Sequence, residues 1–268
     1  MVGCSKTSHL HYYLTKRSLH MYGQTNIKPY TRSMVLLSGG IDSTTCLAAA
    51  VKYHGEHGGE VEAISIDYGQ RHIKETECAK AICEYYGVKH TILDVHDALG
   101  TSMLTDTSVA VPDISYDDIR GISPTYVPFR NGFMLARLTA YAQLYVNQVA
   151  NELGLKENPP KDLVTLYFGA HSEDAKNWAY PDCTPEFIGA MQNAIYIGTY
   201  CSVRLLAPLS YMTKDQIIKW GAELQAPYNL SWSCYKGEEK HCGTCPTCRS
   251  RKESFIKANV PDPTEYAA

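Results

Sequence analysis

Met34-Val35-Leu36-Leu37 runs straight into Ser38-Gly39-Gly40, and Thr45-Cys46-Leu47-Ala48-Ala49-Ala50-Val51 follows. No other stretch constrains the fold as much. A short buried strand, a turn and a helix open a parallel βα unit, and the glycines let the turn be tight. Such a turn gathers free backbone N–H groups at the positive end of the helix dipole, an anion site suited to phosphate or pyrophosphate. The hydroxyls of Ser38, Ser43 and Thr44 add donors. Asp42 does not suit a pure anion site; a carboxylate there suits a Mg²⁺ that bridges phosphate oxygens. The bland alternative is a plain strand–turn–helix with a polar turn.

The rest of the chain repeats the alternation. Residues 54–59 read as a loop, 61–66 as a strand, and Asp67-Tyr68-Gly69-Gln70 as the turn that ends it. A helix is expected over 72–86, with Ile73, Ala79, Ile82 and Cys83 on a rough helical period and Gly87 at its C′ position. Strands over 90–95, 163–168 and 203–206, and helices over 131–149 and 185–200, continue the series. Thr184 is the expected N-cap of the second of these helices, and Thr213-Lys214-Asp215-Gln216 has capping-box spacing. Residues 97–130 lack periodicity and read as a lid or insertion. The alternation implies right-handed crossovers, so the fold class is α/β, a doubly wound parallel sheet covered on both faces. Ligands gather beyond the carboxyl ends of such strands, the edge where both the 38–44 loop and the 67–71 turn fall.

At 268 residues the chain can bury a large core in one domain, with or without a small appendage. No apolar run approaches the about 18 residues a membrane span needs. The net charge of −3 gives no general electrostatic reason to bind nucleic acid or anionic membrane. Residues 1–33 carry Lys6, Lys16, Arg17, Lys28 and Arg32 and no acidic residue. They read as a disordered or non-native leader, with the folded body starting near Met34, although transit peptides share this composition.

The ten cysteines are unevenly spread: Cys234, Cys242, Cys245 and Cys248 crowd into one short stretch. That is not the pattern of a secreted disulfide scaffold, and it points to a reducing, cytoplasmic setting. Four thiolates at these spacings close around one tetrahedral Zn²⁺, a structural site with no position left for water. An iron–sulfur cluster is the competing reading.

The Ser38–Ser43 loop resembles that of the PP-loop ATP pyrophosphatases, whose fold is adenine nucleotide alpha-hydrolase-like. Asp67-Tyr68-Gly69-Gln70-Arg71-His72, Tyr126-Val127-Pro128-Phe129-Arg130-Asn131, Tyr180-Pro181-Asp182-Cys183 and Ser231-Trp232-Ser233-Cys234-Tyr235 through Arg249 follow it in order. Together these blocks are similar to the 7-cyano-7-deazaguanine synthases, from about residue 34 to 258. The resemblance implies a PP-loop domain over 34–228 and a zinc-binding subdomain over 229–268. It implies an ATP-dependent, AMP-forming ligase that turns 7-carboxy-7-deazaguanine and ammonia into 7-cyano-7-deazaguanine (preQ0), a precursor in queuosine-type modification. One structural zinc per chain and a homodimer are also implied. Two places depart from the common family pattern: Phe129 stands where a glycine is usual, and residues 169–179 differ from the familiar run.

On this reading Ser38, Gly39, Gly40, Asp42, Ser43 and Thr44 hold the pyrophosphate and its Mg²⁺, with Asp67 and Tyr68 at the adenine. Arg71, Arg130 and Lys214 are the candidate catalytic cations, beside Asp42 and Ser43; arginine suits bidentate contact with phosphate or carboxylate. Arg130, Asn131, Glu173 and Asp182 are the candidate substrate contacts. Cys183 reads as a packed thiol rather than a nucleophile, and His72 and His171 are weaker candidates for proton transfer. Rival functions are a related adenylating enzyme acting on tRNA or on a protein acceptor, and a zinc-knuckle module binding single-stranded nucleic acid. The sequence does not fix the downstream pathway, the source or the proton-transfer residue.

Overall fold

Met34, Val35, Ile64 and Leu166 are all buried, yet they divide between two cores. Successive strand residues point to opposite faces, so a strand apolar at every position must be covered on both. In the computed structural model, β1 (Arg32–Leu36), β2 (Glu60–Asp67), β3 (Lys89–Asp94), β4 (Val164–Tyr167) and β5 (Val203–Leu206) form one sheet in the order β3-β2-β1-β4-β5. Every pairing is parallel. The structure describes residues 28–69, 73–95, 122–123, 125–236 and 239–267.

Met34, Ile64 and Leu166 face helices α3 (Arg130–Glu152) and α4 (Pro185–Gly198), through Leu135, Leu138, Ile188 and Ile195. Val35, Ala63 and Tyr167 face the other layer: α1 (Ile41–His57), α2 (Ile73–Tyr86), α5 (Lys214–Glu223) and α6 (Pro246–Ala258). The doubly wound parallel sheet is therefore present. Strand order reverses between β1 and β4, which opens a crevice beyond their carboxyl ends. Phe255 of α6 lies in the same core as Val35 and Leu47, so the C-terminal helix packs into the main body and only the cysteine loop stands apart.

Local signals act as their chemistry requires. The Thr184 hydroxyl accepts the Phe187 N–H, and the Gln216 side chain accepts the Thr213 N–H. Gly87 takes φ +63, and the Val88 N–H closes onto Cys83 O behind it. Two boundaries differ from the sequence reading. Helix α1 continues through residues 54–57, because His54 is buried, bonded to the Ser33 hydroxyl at 2.8 Å and to Gly58 O at 2.7 Å. The folded body begins before Met34: Tyr30 O accepts the Tyr145 hydroxyl, and Arg32 pairs with Glu60 and Glu62 and stacks on the Tyr145 ring. Residues 1–27 of the expected leader, and most of the expected lid, lie outside the described residues.

Candidate active site

The turn after β1 is built from its own polar groups. The Ser43 hydroxyl lies 3.1 Å from Ser38 Oγ and 3.1 Å from Gly40 O, and the Thr44 hydroxyl donates to Gly40 O at 2.7 Å. Ser43 and Thr44 are buried. Their hydroxyls also shape the turn, whose anion-binding capacity includes the helix terminus itself. Gly39 sits at φ +87, and a Cβ there would lie 2.5 Å from Glu75 O on α2. The loop thus needs glycine to seat against α2. On the far side of the crevice Gly169, just past β4, would set a Cβ 3.1 Å from the Asp42 carbonyl carbon, so the end of β4 sits close against the start of α1.

Asp42 faces this crevice. Its two carboxylate oxygens lie 2.7 and 2.5 Å from Lys214 Nζ, at the first turn of α5. His171 Nε2 stands 3.7 Å from the same carboxylate and 3.3 Å from Asp174. Burial pushes the Asp42 pKa up, but the Lys214 and His171 charges outweigh it and hold the carboxyl below its ordinary range. Residues 172 positions apart in sequence form this pair.

A cavity of about 880 Å³ opens from the turn. Its walls include Ser38, Asp42, Tyr68, Arg130, Lys214 and Trp232. Arg130 Nη1 lies 3.3 Å from the Tyr68 hydroxyl; burial works against the Arg130 charge, but Tyr68 and the Asp182 carboxylate hold its pKa above the ordinary value. The Asp67 carboxylate accepts the Gly69 N–H at 3.0 Å, fixing the turn after β2. Arg71 lies outside the described residues.

Two expected substrate contacts are engaged elsewhere. Glu173 accepts the Lys214 N–H at 2.9 Å and caps α5, although it borders the cavity. Asp182 is buried and accepts the Asn131 N–H at 3.0 Å, while Asn131 donates to Asp182 O and to Cys183 Sγ. This pair fastens the turn at 181–183 to the start of α3, since a carboxylate satisfies orphan N–H groups at helix starts. Burial raises the Asp182 pKa, against the Asn131 N–H and Arg130. Burial likewise pushes the Cys183 thiol well up, which keeps it protonated.

Phe129 adopts φ 54, the left-handed region, immediately before α3. That explains a glycine as the usual residue there: a side chain costs about 1–2 kcal/mol in this conformation. The Phe129 ring compensates by packing over Gly132, whose Cβ it would overlap, and edge-on against Phe187 at 5.9 Å.

The four Sγ atoms of Cys234, Cys242, Cys245 and Cys248 lie within 4.8 Å of one another, all buried. Cys242 and Cys248 Sγ are 3.9 Å apart, close to the roughly 3.8 Å edge of a tetrahedron with Zn–S bonds of about 2.3 Å. The Lys236 and Cys242 N–H groups point at Cys234 Sγ, and those of Thr244 and Cys245 at Cys242 Sγ. Donors of this kind stabilise thiolates, so the donor set fits a tetrahedral metal. Arg251 anchors the loop's base. It is buried, donating to Ser231, Ser233 and Tyr228 O. The Trp232 N–H reaches Gly39 O at 2.8 Å, joining the cysteine loop to the phosphate turn.

Sequence reasoning singled out residues 169–179 as a segment without roles for Gly169 or Asp174, and passed over Glu75. Glu75 lies three residues beyond the Asp67–His72 block, and that nearness is the one signal that could have found it.

Comparison with known proteins shows the family. The family model described as queuosine biosynthesis protein QueC matches residues 32–259. A 7-cyano-7-deazaguanine synthase of Thermoplasma volcanium is 40% identical over 242 residues, 88% of this chain and 91% of that protein. One from Caldicellulosiruptor bescii is 42% identical over 237 residues, 88% of this chain and 97% of that protein. With the match running from the first strand to the end of the last helix, the chain belongs to the QueC family of queuosine biosynthesis proteins.

Proposed function

We propose that the chain is a 7-cyano-7-deazaguanine synthase that uses ATP, converting 7-carboxy-7-deazaguanine and ammonia to the nitrile with release of AMP and pyrophosphate. The observation that carries the ATP-dependent part is the Asp42–Lys214 pair at the mouth of the Ser38–Thr44 turn. A nucleotide with its Mg²⁺ would bring each member its opposite partner, a cation to the Asp42 carboxylate and phosphate oxygens to Lys214. Bound Mg²⁺ would supply charge neutralisation between phosphate groups. The free N–H groups at the start of α1 face the leaving pyrophosphate, and preorganised donors of this kind supply most of the stabilisation in such a transfer. Arg130, half-buried, permanently charged and at the cavity wall, would hold the substrate carboxylate.

In this reading the cysteine loop holds one structural Zn²⁺. An iron–sulfur cube would interpose its own atoms between the thiolates and spread them further than 4.8 Å. A thiolating enzyme would need an activated cysteine, whereas burial pushes the Cys46, Cys78, Cys83 and Cys183 thiols up. A cytoplasmic homodimer completes the proposal. Among the described residues no helix is long and apolar enough to cross a membrane.

The test is purified protein with ATP, Mg²⁺, ammonia and 7-carboxy-7-deazaguanine, read by mass spectrometry. AMP that depends on the acid, together with the nitrile, supports the reading; AMP without nitrile overturns the substrate, and no AMP overturns the chemistry. Light scattering of the same sample tests the dimer.

A further inference from the structure

The carboxylates that line the cavity differ in what holds them and where they sit. Asp42 is paired with Lys214, Glu173 caps α5 and Asp174 faces His171, while Asp215 lies on α5 and Glu253 on α6. Glu75, in the first turn of α2, lines the cavity beside Tyr68 and Arg130, and no hydrogen bond holds its carboxyl among the described residues. Its own backbone carbonyl is the atom against which Gly39 seats. The residue is therefore fixed beside the phosphate turn and lines the cavity.

We propose that the Glu75 carboxylate is the base that takes N–H protons from the substrate nitrogen in the dehydrating half of the reaction. This rests on the ATP-dependent reading above. In that half the amide oxygen attacks the α-phosphorus of ATP, forming a C–O–P link as the bond to pyrophosphate breaks. One N–H proton leaves to give a neutral imidate. The C–O bond then breaks, its electron pair departing with AMP, and the second N–H proton leaves as the nitrogen pair completes the nitrile. Two protons must go, and neither the amide nor AMP disposes of both. Glu75 accepts each in turn and returns it to solvent through the open cavity.

The surroundings suit the role. Burial raises the Glu75 carboxyl to about 7, against the pull of Arg130 from α3. Tyr68 at the end of β2 and Cys78 one turn along α2 are the other titratable groups coupled to it, and burial pushes both up, so both stay neutral. A base poised near the working pH balances availability against proton affinity.

The experiment supplies the amide, 7-amido-7-deazaguanine, and separately the acid with ammonia, to wild type, Glu75→Gln and Glu75→Asp, each with ATP and Mg²⁺. Expected for Glu75→Gln is a fall of roughly 10²–10⁴ in nitrile formation, with AMP still made from the acid and amide accumulating. The wild-type rate from amide should rise through about pH 7, a limb that Glu75→Gln loses and Glu75→Asp keeps at reduced rate. Glu75→Asp alone carries the test if Glu75→Gln melts early. Wild-type nitrile formation by Glu75→Gln, or equal loss of both halves, overturns the proposal. Wild type making no AMP from either substrate would instead bring down the ATP-dependent reading, and the proposal with it.

Discussion

Asp42 and Lys214 show how much one ion pair determines here. With 24% and 20% of their side chains exposed, neither is deep enough to be neutral nor open enough to be fully screened. The Asp42 pKa is depressed, so the pair's contribution is present above the unfolded value of about 3.9 and is lost as pH falls through the lower folded value. Replacing Lys214 by Ala removes the main opposing charge and leaves burial to raise the carboxyl. We expect Lys214→Ala to lose about 2 kcal/mol at pH 7, with the gap to wild type shrinking toward pH 3 in urea melts. A gap constant with pH would discard the electrostatic account. The same variant should form AMP some 10²–10³ times more slowly, the cost of one preorganised group aimed at developing charge. Asp42 was legible in the sequence because it interrupts an anion-binding turn. Its partner was less so: a lysine opening a helix is locally disfavoured, and only the fold brings α5 across the crevice.

A second residue-scale prediction concerns Glu62, buried at the start of β2 and bonded to Lys89, Thr91 and Tyr141 at 2.8, 2.7 and 2.9 Å. Burial works against its charge, but these donors hold its pKa below the ordinary value. Glu62→Ala should cost about 1–2 kcal/mol at neutral pH, since it leaves the half-buried Thr91 and Tyr141 hydroxyls without their acceptor, and should leave AMP formation unchanged because the cluster lies at the opposite strand ends. Calorimetry beside the AMP assay separates the two effects.

At the scale of elements the strands and most helices were readable because apolar periodicity and caps agree with the fold. The sequence reading fell short where a polar residue carries a structural bond that local pattern does not reveal. His54 reads as loop until its imidazole is seen buried beside Ser33; Glu173 and Asp182, expected at the substrate, each also cap a helix. Short-range sequence shows which side chains can bond a base, but not which backbone N–H arrives first. Gly39 makes the element-scale prediction. Its φ of +87 and its 2.5 Å approach to Glu75 O leave no room for a methyl group. Gly39→Ala should therefore shift the turn off α2, costing about 1–3 kcal/mol and abolishing AMP formation. Retained activity in a folded Gly39→Ala protein would show that the turn tolerates displacement.

Across the whole molecule the cysteine loop and the phosphate turn form one mechanical unit. Among the described residues the loop's buried core is Trp232 and the four cysteines, with Cys78, Tyr235 and Tyr266 packed against it, a small apolar area, and small sites of this kind draw their folding energy from the metal. Helix α6 beneath it does not depend on the metal in the same way, because Phe255 belongs to the main core. Metal loss should thus melt the segment around 231–248 while leaving the sheet intact. Its consequence should still reach the far side of the cavity. The Trp232 backbone N–H holds Gly39 O at 2.8 Å, its indole N–H donates to Cys234 O at 2.9 Å, and the His241 ring, whose pKa burial lowers to about 4, lies tilted against that indole at 4.3 Å. Cys245→Ser, or exhaustive chelation, should reduce bound zinc from one per chain and lower AMP formation at least tenfold, with far-UV circular dichroism largely retained. Full AMP formation by the metal-free protein would uncouple the two loops. Visible absorbance in the purified protein would replace zinc with an iron–sulfur centre while leaving the coupling through Trp232 open to the same chelation test.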